Sequence, residues 1–177
     1  MHASRLALLV AAATTLAAAP SAHAAEAFYG LTQGNVLVSF QSDDVADLEA
    51  QRAVQGLPAG EQLIGLDIRP ATGQLYALGV SSRLYVLDPR TARARAIGPG
   101  PFSPALAGTA FSFDFNPTVD RIRVVSDADQ NLRLNPDDGS ATNDGALAYA
   151  GDDAGTEFVY ALVETSGFVP APASSPA

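Results

Sequence analysis

Asp67 and Asp114 lie 47 residues apart, each three residues before a proline (Pro70, Pro117). Two carboxylates at equivalent places of a repeated segment could converge on a divalent cation or a sugar hydroxyl, because both favour clustered oxygen ligands. Arg69 and Asn116 follow them at the same spacing and are candidates for the same site. The plainer reading gives each Asp to the backbone N–H groups of the turn after it. A second acidic run, Asp127-Ala128-Asp129-Gln130-Asn131, has the D-x-D-x-N spacing of a calcium loop, with Asp138 at the twelfth position. Leu132 stands where such a loop needs a sharp-turn glycine, so a solvated hairpin turn competes with a metal site there. Arg121, Arg123 and Arg133 could form a basic stripe for an anionic ligand, or pair with Asp120, Asp127 or Asp129 across strands. Ser103 lies in GPGPFSPALAG, without a nucleophile elbow or a histidine to serve as base.

Composition narrows the chemistry further. Residues 1–24 read as a signal peptide: a basic start at Arg5, an apolar run from Leu6 to Ala19, and a small-x-small site at Ala22-His23-Ala24. The run is shorter than a membrane span and ends at Pro20, so no membrane span is expected. Both histidines, His2 and His23, fall inside that segment, and the chain has no Cys and no Lys. The expected mature chain therefore excludes Ser-His-Asp and Cys-His catalysis, His/Cys zinc sites, disulfides and Schiff-base lysines. It keeps 9 Arg against 19 acidic residues, a net charge of −10, which disfavours nucleic acid and anionic lipid as partners. Export to the periplasm or the extracellular space is the expected localisation.

The elements that must position these residues come from the repeat. With an offset of 47, Asp67 falls on Asp114, Pro70 on Pro117, Pro89 on Pro136, Leu75 on Ile122 and Leu87 on Leu134. Carried backwards, the offset places Tyr76 on Tyr29 and Leu87 on Phe40. Each copy holds short apolar or β-branched runs cut by Gly, Pro, Asn and Asp, the pattern of strands and hairpins. In the middle copy these predict strands at Leu63–Arg69, Gln74–Gly79, Arg83–Asp88 and Arg93–Gly98. Tyr85 and Leu87 should face one side of the third strand, and Leu84 and Val86 the other. Asp43–Gln51, with Val45 and Leu48 among acids, is the best helical candidate.

Four strands in a unit of this length predict an all-β, β-propeller-like fold of repeated four-stranded antiparallel sheets. About three blades are written, the first lacking its first strand, so the ring is partial or incomplete. The expected domain spans residues 25–168, followed by a disordered Pro/Ala tail at 169–177. A strand at Glu157–Val163 either completes the first blade or extends an open sheet. Exposed sheet edges could also be covered in a homodimer.

The runs GLDIRPATGQLYALGVSSRLYVLDP and GPGPFSPALAGTAFSFDFNPTVDRIRVVSDADQNLRLNPDDG resemble the bacterial family known as domain of unknown function 4394. The resemblance covers Phe28 to Gly151, and it implies an exported protein of propeller-like β repeats with no catalytic residues to carry over. After Gly151 the chain departs from relatives, which continue with further strand repeats, so truncation or a frameshift there is open. The expected function is a non-enzymatic binding or structural module taking a small-molecule, glycan or protein ligand, without a cofactor. The alternative is a propeller-type hydrolase or lactonase that uses carboxylates and a divalent cation.

Overall fold

Apolar and β-branched residues alternating with polar ones, cut by turn formers every five or six positions, favour extended chain over helix. The structure, a computed structural model, describes residues 26–147, and among them the chain forms antiparallel strands and no helix. The first sheet holds β1 (Ala27–Leu31), β2 (Val36–Gln41) and β3 (Asp44–Ala53). The second holds β4 (Leu63–Ile68), β5 (Leu75–Gly79), β6 (Arg83–Asp88) and β7 (Arg93–Ile97). The third holds β8 (Phe111–Asn116), β9 (Arg121–Ser126), β10 (Asn131–Leu134) and β11 (Ala141–Asn143). In each sheet sequence neighbours are also pairing neighbours, the meander of a propeller blade.

The four strands expected in the middle copy appear within one residue of their sequence bounds. Subtracting 47 carries β6 onto β2 residue for residue. The turns repeat as well. Asn35, Ser82 and Asp129, 47 residues apart in series, all adopt left-handed backbone at the tip of a hairpin (φ 55, 63 and 58). Gly73 and Asp120 form another such pair (φ 70 and 51). The expectation of a helix at Asp43–Gln51 is overturned: from Asp44 on, the segment belongs to β3, which pairs with β2 through an irregular register around Phe40. Spacing of Val45 and Leu48 suggested a helix, but backbone pairing with β2 decides the conformation, and β3 occupies the place of β7 in the repeat.

Two cores separate the three sheets. The middle sheet is apolar on both faces, and all five residues of β5 are buried. Leu75, Ala77, Tyr85 and Leu87 turn toward the first sheet, where Leu37 is buried against them with Tyr29 and Leu31 alongside. Tyr76, Leu78, Leu84 and Ile97 turn the other way onto Phe113, Phe115, Ile122, Val124, Leu132 and Leu134 of the third sheet. The division of Tyr85 and Leu87 from Leu84 is the one the alternation in β6 requires. The rings of Tyr76 and Phe115 meet edge to face across the second core, centroids 5.1 Å apart.

The first strands of the second and third sheets come close where the sheets meet. A Cβ added at Gly65 of β4 would lie 2.6 Å from Cβ of Phe113 in β8, so only glycine fits this crossing. The outward faces of the end sheets differ. In the middle sheet one cross-strand row reads Asp67, Tyr76, Val86; in the third sheet the equivalent row reads Asp114, Arg123, Arg133. The first sheet presents Phe28, Phe40 and Leu48 in register across its three strands, with Phe28 and Phe40 stacked at 5.7 Å. The expectations for residues 1–24, 157–163 and 169–177 lie outside the described residues.

Candidate functional site

Asp67 is the last residue but one of β4, and its carboxylate lies at the seam between sheets. One oxygen accepts the N–H of Ile68 and the other the N–H of Phe115 in β8, both at 2.7 Å. Burial pushes this carboxyl above the usual range, and the two N–H donors pull partly in the opposite direction. Only one of these donors lies next to Asp67, and neither belongs to the turn after Pro70. Asp114 is buried, 6 % exposed, and lies opposite Arg123 in the pairing of β8 with β9.

Arg69 leaves the end of β4 and reaches across the same seam. Its guanidinium donates to both oxygens of Asp120, 2.9 and 2.5 Å away, and to Asp137 at 2.8 Å. Asp120 sits in the β8–β9 turn and Asp137 in the β10–β11 turn, so one side chain clips two hairpins of the third sheet. The bond from Arg69 holds Asp120 well below the usual carboxylate range, and the pairing raises the guanidinium in turn. Tyr76 adds a bond from its hydroxyl to the carbonyl of Pro136 at 3.3 Å. Asn116, the partner of Arg69 in the repeat, behaves differently: its Oδ1 accepts the N–H groups of Thr118 and Val119 in its own turn.

The acidic run at 127–131 is the β9–β10 hairpin, as its place in the repeat suggested. Asp127 accepts the N–H of Thr109 at 2.8 Å and its hydroxyl, which holds its pKa low and ties the hairpin to the chain entering β8. Asp129 is the left-handed tip residue. Asn131 accepts a bond from Arg123 at 2.6 Å. The structure thus places Asp67 and Arg69 at one seam, Asn116 at the end of β8 holding the turn after it, and the 127–131 run in a hairpin. The arginine stripe is paired, though by another residue than expected: Asp144 binds Arg123 at 2.8 Å and Arg133 at 3.1 Å, while Arg121 donates to the carbonyl of Asp120.

One polar cluster escaped the sequence reading. Glu61, before β4, is 8 % exposed and accepts bonds from the N–H and hydroxyl of Ser81 and from the Tyr85 hydroxyl at 2.7 Å. Burial raises its pKa, but the bonds from Ser81 and Tyr85 outweigh it and leave the carboxyl below its ordinary value. Burial and the adjacent carboxylate push the Tyr85 hydroxyl well up. Gly79 makes room for this carboxylate, since a Cβ there would meet it at 2.7 Å. An acid just before an apolar strand and a Tyr in the middle of another were the available signals.

A cleft of about 860 Å³ opens among Tyr29–Gln33, Gln62–Leu66 and Thr109–Phe111, the rims of β1, β4 and β8. It runs beside the edge of β1 that carries no strand among the described residues. Also among the described residues, no helix is long and apolar enough to cross a membrane.

Repeated antiparallel meanders of three and four strands, packed face to face and joined between the second and third by charged side chains, define an all-β repeat protein of propeller-like sheets. The chain belongs to the family described as a domain of unknown function (DUF4394), whose model matches residues 36–165. No curated protein shows significant similarity to it.

Proposed function

We propose that the chain is a non-enzymatic binding and structural module that works after export. The observation that carries this reading is how the charged side chains are used. Asp67, Arg69, Asp120 and Asp137 join the second sheet to the third, Asp127 holds a hairpin, and Asp144 neutralises two arginines. A carboxylate whose lone pairs already face N–H donors gains little from a cation and does not serve readily as a general base.

The face offered to a partner is the outer side of the first sheet. Phe28 is 43 % and Leu48 39 % exposed there, in a row with Phe40, and the acids Asp44, Asp47 and Glu49 lie along the same strand as Leu48. An apolar centre beside acids fits a protein surface with an apolar patch and basic residues around it.

Thermal unfolding with and without millimolar calcium or magnesium tests the reading. The midpoint of the purified protein should not move. A cation-dependent rise that the substitution Asp67→Asn removes would instead support the hydrolase or lactonase alternative.

A further inference from the structure

We propose that a cleft at the end of the second sheet, flanked by Arg93 and Arg95, binds short acidic sugar chains, pyranose rings that carry carboxylates. The inference stands apart from the partner face on the first sheet.

The arginines fall into two groups. On the third sheet Arg123 and Arg133 are neutralised by Asp144, and at the seam Arg69 is held by Asp120 and Asp137. Arg90, in the β6–β7 hairpin, and Arg93 and Arg95, on β7, are exposed, and none of them has an ion pair among the described residues. The acid placed to neutralise Arg93 is Asp88, its cross-strand partner, yet Oδ1 of Asp88 accepts the N–H groups of Arg90 and Thr91 in its own turn. Opposite Arg95 stands Val86, which offers no charge.

The repeat does not ask for these arginines. An offset of 47 carries Arg90, Arg93 and Arg95 forward onto Asp137, Ser140 and Thr142, and back onto Asp43, Ala46 and Leu48. Guarding the edge of β7 against other chains is the plainer use of such charge, but it does not account for the cleft beside it. That cleft, of about 530 Å³, is lined by Gln74, Leu75, Val86, Asp88, Arg93 and Arg95 among others.

Arg93 and Arg95, two apart on one strand, project to the same side with their Cα atoms about 7 Å apart. Apolar side chains beside two guanidinium groups suit a ring with a C–H face and acid groups on its rim, since each guanidinium can take a carboxylate in a bidentate pair. An acidic peptide suits the place less well. It would gain most by pairing with β7 as an added strand, and Gln55 already bridges there, accepting the N–H of Ala94 and donating to the carbonyl of Ala92. The negative charge of the whole chain, formally −9, opposes long polyanions, so the ligand is a short run of such rings.

A magnetic resonance titration with trigalacturonate, against neutral galactotriose, tests the assignment in about 0.15 M salt, where distant charges are screened. Trigalacturonate should shift the backbone amides of Gln74, Val86, Arg93 and Arg95, and galactotriose should not. The double variant Arg93→Gln, Arg95→Gln should bind trigalacturonate at least about tenfold more weakly with its melting temperature nearly unchanged. No shift at millimolar trigalacturonate, or equal shifts with galactotriose, would overturn the proposal. So would an equal loss of affinity in Arg52→Gln, Arg83→Gln, which would mark a diffuse field rather than a site. Tighter binding of an Asp-Ala-Asp-Ala-Asp peptide would replace the sugar with a peptide partner. Self-association of the Arg93, Arg95 variant with its affinity retained would leave these arginines as edge guards alone.

Discussion

Arg69 and Asp67 show what a charged residue does at the seam of two sheets. Arg69→Met would leave Asp120 and Asp137 without their shared cation, yet both are partly exposed and can recover water, so the cost should be about 2 kcal/mol rather than the full price of a broken buried pair. Asp67→Asn sets an amide N–H₂ against one of two N–H donors, and should cost about 1–3 kcal/mol. Urea midpoints at pH 7 check both. Their acid responses have opposite signs. Asp120 titrates lower in the fold than its ordinary 3.8, so its contribution is complete above that value and is lost as pH falls through it and below. Asp67 titrates higher in the fold, so its effect runs the other way: stability falls as pH rises through the folded value. Between pH 5 and pH 3, by linkage, the stability of Asp120→Asn should therefore fall less than that of the parent, as denaturant midpoints across that range would show. The sequence marked Asp67 and Arg69 because the repeat equates them with Asp114 and Asn116. What it could not supply was the direction in which they reach: sequence periodicity gives a residue's face within its own sheet, whereas contacts across a seam depend on how two sheets dock.

At the level of elements, the repeat made the strands legible. Turn chemistry recurs with the strands, and Asp88 and Asn135 both accept N–H bonds two residues on in their own turns. β3 was not legible from its own residues, because acids around two apolar positions satisfy helix and strand alike until a neighbour is present. The 47-residue offset onto β7 was the signal that outranked local pattern. Gly65 lets β4 and β8, strands of different sheets, cross closely. Gly65→Ala should cost about 1–3 kcal/mol, since the added methyl meets the Cβ of Phe113 at a distance that neither backbone can relieve without shifting. Phe115→Ala, which empties the centre of the second core, should cost about 3–5 kcal/mol. If thermal melts show Gly65→Ala to be neutral, β4 and β8 have more freedom than this packing allows.

For the molecule as a whole, three sheets and two cores leave the first sheet with an apolar outer face. An environment-sensitive apolar dye should bind there, and Leu48→Asp should lower its fluorescence with little change in the melting temperature, because Leu48 contributes little to either core. Loss of stability in step with the dye signal would show that the row is part of the fold rather than a free surface. Family membership was legible from the strings around Asp67 and Asp114, and so was the all-β architecture. The face left apolar was not, because outward and inward rows of the first sheet look alike until the second sheet chooses one of them.

The contrast between the row Asp67, Tyr76, Val86 and the row Asp114, Arg123, Arg133 makes the stack polar in the sense of a tile with one finished side. The middle unit has apolar faces on both sides, and the first sheet is apolar on its outer side as well, so among the described sheets these two could lie against a further copy without rewriting a surface. Lengthening by tandem duplication would therefore succeed from the interior and fail at the third sheet, where Arg123 and Arg133 would have to enter a core. In evolutionary terms, the described sheets favour gaining blades at the centre or beside the first sheet over gaining them beyond the third.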